Sequence, residues 1–540
     1  MLRTSVTPDG TFLVAVHRPS LHVVNLREHD FITSLGSTPQ GDPFDNRVNF
    51  PKGDISVSKA KWIYEIANPF PFRGTTYIES AWADSRRKNP DSLELPPARE
   101  CSVLESLKKH MTDSEAASTL TALPIQVLYG LAANSTDPEE LVHLARWCCR
   151  LDTNNAGDPV GLLYLSDKND NLRPDIDDFE LFETIANNPY LPDPYKEVMV
   201  LRPGVQGTSE IVGEWKSEKS HVFEYLRSNS YIPWGHFAAN MANDSIRYTT
   251  SALSLEDIQA LRHLYYQRTY VTLAQKLSLD LPPGRKRLST EDMESLRLQI
   301  MKAPHDQINY MTTLWGWNFG YDFSSSGYRL HATHQMIHQQ YAMVPGSVTT
   351  TDDSETMPTY SCGDLVADTV ERYQTAYGND FFSDYLKAIR NNIRTDRKDG
   401  QSTLIVWEDN NVILFVPKAQ VSQWELQLMV VADGPLGPVG NIVEADTSVR
   451  NSIDKGILLA QKIYSRLNTK MVTSLEFPKR IGIQNGQRLF YSFLPKLPWS
   501  MGAFSEAQMR YICGHYPEDF AACCRNRMNE AKFKSLLQVK

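Results

Sequence analysis

Three of the chain's 13 histidines, His331, His334 and His338, fall within eight residues. Imidazole is the side chain best suited near neutral pH to act as nucleophile, proton carrier or metal ligand. Read as a strand, the second half of this stretch puts 334, 336, 338 and 340 on one face. His334, His338 and Gln340 then point the same way. Upstream, Ser324, Ser325, Ser326 and Gly327 can offer hydroxyls and backbone N–H groups to a phosphate, and Arg329 can add charge. A nucleophilic imidazole beside an anion-binding loop suits phosphoryl or nucleotidyl transfer. The alternatives are a metal site and a purely structural cluster. The histidine spacing is not a standard metal set and no acid lies nearby, so no metal is expected.

The residues around this cluster resemble a known family. Met336-Ile-His338-Gln-Gln340, followed by Tyr-Ala-Met-Val-Pro345, is similar to the histidine-x-histidine-x-glutamine motif of the transferase branch of the histidine-triad (HIT) superfamily. That branch includes galactose-1-phosphate uridylyltransferase, diadenosine tetraphosphate phosphorylase and GDP-galactose phosphorylase. Asn318-Phe-Gly320 resembles the Asn and Gly that precede the motif. Ser230-Tyr-Ile-Pro-Trp-Gly-His236-Phe resembles the strand that opens HIT domains. Further on, Asn411-Val-Ile-Leu-Phe-Val-Pro417, Trp424-Glu-Leu-Gln427, Met501-Gly-Ala-Phe-Ser505 and Gly514-His-Tyr-Pro-Glu518-Asp-Phe-Ala521 are similar to the uridylyltransferase second domain. The resemblance spans residues 220–525 and explains nothing of 1–200.

The resemblance implies an α+β protein: tandem HIT-like domains with antiparallel sheets and flanking helices, plus an N-terminal extension. The extension is 1–200, β-rich then helical; the catalytic domain is 201–350 and a degenerate second domain is 351–540. It implies nucleotidyl transfer, or phosphorolysis, of a nucleotide or nucleotide-sugar through a covalent nucleotidyl-histidine. His338 would attack the α-phosphorus, and Gln340 would hydrogen-bond a phosphate oxygen. Asn318, His236 and the Ser324 to Arg329 loop would bind nucleotide and phosphate. Met336 stands where the family has its first histidine, and His334 is the nearest substitute. Counting from Asn318 favours His331, so the nucleophile stays open among the three. The implied partners are the nucleotide and a phosphate-bearing acceptor, with no cofactor; a homodimer is compatible. The competing readings are a nucleotide hydrolase and a non-catalytic nucleotide-binding or scaffold protein.

Composition bounds these readings. The chain has 540 residues, with 55 Lys+Arg against 64 Asp+Glu and a net charge of -9. A nucleic-acid binder normally needs a basic surface to displace counterions, so none is expected as a partner. Seven cysteines without a C-x-x-C spacing read as reduced thiols. No run approaches the roughly 18 apolar residues of a membrane span, and no signal peptide is legible. The expectation is a soluble cytoplasmic protein without a membrane partner.

The elements that must position the site follow from periodicity. Short apolar runs make 1–60 β-rich, and the polar stretch 76–100 reads as a loop or linker. Residues 101–152 read as helical, with Asp137-Pro138 as a helix start. Ser254 and Ser289 open two more helices, each with an acid three residues on. The region 308–345 turns β-like around a Gly/Ser loop, and 362–393 is helical. A hairpin around Asn411, a strand at 424–431, a helix at 450–467, strands over 471–494 and a helical tail complete the chain. Two similar antiparallel sheets are expected, one within 220–345 and one within 403–495, each flanked by a helix.

Overall fold

The computed structural model of the chain describes residues 2–528, apart from 33, 59, 60, 98, 167–171, 187, 189, 197, 200–203, 207, 208, 212, 216–222, 226–236, 241–252, 285, 286, 305, 306, 321–336 and 500. It is α+β, built from helices and mainly antiparallel sheets.

The chain begins with short strands β1 (Ala15–His17), β2 (Leu21–Val23) and β3 (Ile55–Val57), then β4 (Ile63–Ala67) and β5 (Thr75–Glu79). Helix α1 (Ser80–Arg87) follows at once, because the Glu79 carboxylate accepts the Trp82 N–H and caps it. The linker expected over 76–100 is therefore wrong in its first half. The reason is non-local: β5 pairs in parallel with a strand at Arg510–Cys513, and the Thr76 hydroxyl is hydrogen-bonded to the backbone of Gln420. No local pattern in a Thr-Thr-Tyr run reports partners so far along the chain.

The helical unit expected over 101–152 is present as α2 (Val103–Lys108), α3 (Asp113–Thr121), α4 (Ile125–Asn134) and α5 (Pro138–Cys148). Asp137 caps α5, whose Leu141 and Leu144 are buried. Among the described residues no single helix is long and apolar enough to cross a membrane.

After β6 (Phe237–Asn240) come α6 (Leu255–Lys276), α7 (Thr290–Lys302), β7 (Thr312–Gly320) and β8 (Ile337–Val344). Capping boxes at Ser254 with Asp257 and Ser289 with Asp292 start the two helices where the sequence places them. Then follow α8 (Cys362–Tyr377), α9 (Phe381–Arg390), β9 (Ile405–Glu408), β10 (Val412–Phe415), β11 (Leu426–Val430) and α10 (Thr447–Arg466). The chain closes with β12 (Met471–Phe477), β13 (Phe490–Pro495), β14 (Arg510–Cys513) and α11 (Pro517–Met528).

Eight of these strands form one antiparallel sheet in the order β6-β8-β7-β12-β13-β11-β10-β9. The two sheets anticipated within 220–345 and 403–495 are instead one, because their strands join edge to edge. The junction is β7 against β12, from Gly316 opposite Leu475 to Gly320 opposite Met471. Helices α6 and α10 cover one face of the sheet. Gly456 lets α10 lie flush on β11: a Cβ there would come within 2.5 Å of a Leu428 methyl.

The other face is covered over β10, β11 and β13 by α8, α9 and the N-terminal segment. Phe70 stacks on Phe490 at 4.9 Å, and Phe477 stacks on Phe490 at 4.4 Å. Strand β10 is consequently buried on both faces, which suits its unbroken Val-Ile-Leu-Phe run.

Candidate functional site

Strands β7 and β8 carry the sequence-predicted residues that fall within the described structure. Their alternation is set by the core. Trp315 and Trp317 of β7 and Gln339, Tyr341 and Met343 of β8 are buried, most of them in the main cluster beneath α6. Asn318 and Gly316 are out of phase with that series on β7, and His338 and Gln340 are out of phase with it on β8.

The register brings these four positions together. Asn318 is directly opposite His338, and Gly316 is opposite Gln340. Directly opposed residues in an antiparallel pair have Cβ atoms about 5 Å apart. On the far side of β7, Thr473 of β12 is the cross-strand partner of Asn318 and donates to its Oδ1 at 2.7 Å. That contact holds the side-chain amide and leaves its N–H groups for another acceptor. Asn318 and Thr473 are half-buried and Leu475 is exposed, so this part of the sheet is not sealed as the β10 half is.

His331, His334, Ser324, Ser325, Ser326, Gly327, Arg329 and His236 lie outside the described residues. The expected cavity shared by the Ser/Gly loop and His338 lies outside them too.

Behind the strands sits a buried polar scaffold. Gln339 is fully buried; its Oε1 accepts the Trp315 indole N–H at 3.0 Å, and its amide donates to the Leu261 carbonyl of α6 at 3.4 Å. One residue on, the Arg262 guanidinium lies 4.4 Å from the Trp315 ring centre and 5.3 Å from that of Tyr491. Its Nε meets Asp454 of α10 at 3.3 Å, and its Nη2 accepts nothing but donates to Tyr266 at 3.0 Å and Tyr491 at 2.9 Å. Glu476 of β12 accepts from Tyr265 at 2.7 Å, Tyr491 at 2.6 Å and Thr313 at 3.1 Å. Burial pushes the Asp454 carboxyl up to about 6, although Arg262 and Tyr266 both favour its charged form.

Neither Gln339 nor Arg262 was anticipated from sequence. Both leave a trace there: each is a polar residue inside an apolar series, 337, 339, 341, 343 for the strand and 258, 261, 262, 265 for the helix.

The C-terminal residues that carry the resemblance have structural roles. Trp424 stacks on Phe520 at 6.3 Å, and the Asn411 amide donates to Ser448 and Ser452 on α10, each at 3.0 Å. Glu518 pairs with the buried Lys418 at 2.6 Å. His515 is fully buried, and burial pushes its imidazole down to about 3, so it stays neutral.

A cavity of about 690 Å³ lies between Tyr310, Pro345, Thr359, Tyr360 and Arg480. It adjoins the C-terminal end of β8, roughly 20 Å along the strand from His338. Arg480 is committed there to a bidentate pair with Asp364, at 2.6 and 2.7 Å, and to the Tyr310 and Thr359 carbonyls, so it is not a spare anion ligand. Among the described residues no group of three or more His, Cys, Asp or Glu is placed to hold a metal ion. All seven cysteines are unpaired thiols.

Among solved structures the chain is similar to an ADP-glucose phosphorylase from Arabidopsis thaliana with bound ADP-glucose. The identity is 14%, over 54% of this chain and 73% of that one, with a TM-score of 0.35. It is similar to a galt-like protein from the same plant at 15% identity, over 51% of this chain and 70% of that one, TM-score 0.33. A uridylyltransferase mutant matches at 12% identity, over 45% and 73%, TM-score 0.30. No family model and no curated protein matches the chain.

Proposed function

We propose that the chain is a nucleotidyltransferase or nucleotide phosphorylase that acts on a nucleotide or nucleotide-sugar through a nucleotidyl-histidine. The observation that carries this reading is the register of β7 and β8, with Asn318 opposite His338 and Gly316 opposite Gln340. That register sets Asn318 across from His338, two residues along β8 from Gln340, as suits a nucleophile with two amide side chains close by.

The reaction has two displacements. The His338 imidazole attacks the α-phosphorus; the bond to the leaving phosphate breaks and its electron pair departs with that group. A phosphate-bearing acceptor then attacks the same phosphorus and releases the imidazole. Amide donors from Gln340 and Asn318 hydrogen-bond phosphate oxygens as charge develops on them. The buried scaffold of Gln339, Trp315 and Arg262 keeps the two strands in fixed register, so the donors are preorganised. The catalytic unit is assigned to 201–350, in the cytoplasm, with no organic cofactor.

The test is single-turnover labelling with α-³²P nucleotides and nucleotide-sugars. Wild type forms an acid-labile, base-stable adduct, as a phosphoramidate does. His338→Gly abolishes it without loss of helical signal, and His331→Ala retains it. Loss in His331→Ala with retention in His338→Gly moves the nucleophile to His331. No adduct with any common nucleotide makes the chain a binding protein instead.

A further inference from the structure

The cavity at the end of β8 continues into another. This second cavity, of about 670 Å³, is lined along α8 by Asp368, Glu371 and Gln374 and reaches Asp380 and Asn485. The two share Tyr310, Asp364 and Arg480 and form one trough. Either alone has the size of a small-molecule pocket; joined, they exceed the roughly 300–1,000 Å³ of such pockets. An elongated trough of this size suits an extended chain.

The β8 end is apolar and aromatic. Pro345 and Pro358 line it, and Tyr310 and Tyr360 stand beside it 57% and 69% exposed. Neither tyrosine hydroxyl has a hydrogen-bond partner among the described residues. Tyr310 is held there against its backbone preference. Its φ is +64°, a left-handed conformation that is an outlier for so bulky a side chain. Its N–H donates to the Ile481 carbonyl at 2.9 Å, and its carbonyl accepts from Arg480 at 2.6 Å. Gly346 makes room for it, since a Cβ there would lie 2.6 Å from the Tyr310 Cβ. Backbone strain that the surroundings fix in this way clusters at ligand clamps.

The α8 end is acidic. Arg480 is the one cation among the described lining residues, and Asp364 neutralises it. Asp368 and Glu371 are exposed and form no ion pair among the described residues. The stretch 346–380 holds seven Asp and Glu against one Arg, a net of -6 where the whole chain carries -9.

We propose that this trough binds an extended, proline-containing basic segment of a partner protein. Its prolines pack between Tyr310 and Tyr360, and its Lys or Arg side chains meet Asp368 and Glu371. Charge complementarity selects a cationic occupant, because the phosphates of a nucleic acid or a lipid surface would face unopposed carboxylates. The aromatic end selects the polyproline II form. That helix has no internal hydrogen bonds, so its carbonyls are free to accept from the two tyrosine hydroxyls. It is also extended before it binds, so little ordering entropy is lost. A polyamine would satisfy the carboxylates but leave the tyrosines and prolines in water. The trough lies at the far end of β8 from His338, and its test needs no nucleotide.

Fluorescence anisotropy on the full chain tests the proposal, with a labelled Arg-Lys-Pro-Pro-Pro-Pro-Lys-Arg peptide as probe. Basic residues at both ends allow either chain direction. Wild type binds it saturably, and replacing the prolines by Gly-Ser weakens binding about tenfold. Tyr360→Ala weakens it by about tenfold or more. Asp368→Lys/Glu371→Lys does the same and flattens the salt dependence. All three positions are exposed, so the variants keep their fold, which unchanged circular dichroism verifies. If one variant misfolds, the other decides. No binding at up to about 1 mM peptide overturns the proposal. So does equal affinity for the Gly-Ser peptide, which is charge attraction alone, or displacement by spermine at equal concentration, which makes the ligand a small cation. Folded variants that bind as tightly as wild type overturn it as well.

Discussion

Gln339 lies between the two residues on which the proposed chemistry rests, and its own side chain goes the other way, into the core. It accepts from Trp315 and donates to the α6 backbone, so it ties β8 to both its neighbouring strand and its covering helix. Gln339→Leu conserves the approximate volume but leaves the Trp315 N–H without an acceptor, at a cost of about 1–3 kcal/mol. The strand is then free to shift, and a displacement near 1 Å at a reacting group costs on the order of 100-fold in rate. We expect single-turnover adduct formation to fall at least about tenfold while nucleotide affinity changes much less. A melting point that drops with an unchanged adduct rate would make Gln339 structural only. The alternation that separates 338 and 340 from 339 and 341 was legible in the sequence. That a glutamine serves as the core anchor was not, because a polar residue in an apolar series declares its partners only once the helix is in place.

At the scale of elements, the charged scaffold explains how one helix from each half is held on a common face. Arg262 of α6, Asp454 of α10 and Glu476 of β12 meet as buried side chains. The capping boxes and the hairpin around Asn411 were legible because their signals are local. The β5 strand was not, because its stabilising partners are Gln420 and β14.

The raised Asp454 carboxyl gives a pH signature. The native state holds its proton more tightly, at about 6, than the unfolded chain, whose Asp titrates near 4. Its contribution to stability is therefore complete below about pH 4 and is lost as pH rises to about 6. Asp454→Asn removes that titration. Its stability relative to wild type should change by up to about 3 kcal/mol across this window and by nothing further above it. Urea midpoints at several pH values measure the difference. A variant with the wild-type pH slope would show that Asp454 does not titrate there.

At the scale of the molecule, the two strand groups share one hydrogen-bonded ladder from β6 to β9. The sequence resemblance anticipates two similar units, and periodicity finds their strands. The edge at which they meet depends on β7 and β12, whose residues are about 155 apart in the chain, as Asn318 and Thr473 are. No local pattern carries that pairing. It has a thermodynamic consequence: separating the halves would expose the edges of two central strands, so they should unfold together.

Gly456→Leu provides the test, because it acts only in the second half. A side chain there is forced into Leu428, and overpacking of this kind costs about 1–3 kcal/mol. If the ladder couples the halves, hydrogen exchange from the slowest amides should accelerate equally in β7 and β8 and in β11 and β13, by roughly tenfold for each 1.4 kcal/mol lost. If β11 and β13 exchange faster while β7 and β8 keep their wild-type protection, the junction does not couple the halves. The candidate site would then stand on a unit that opens independently of the sheet it is joined to.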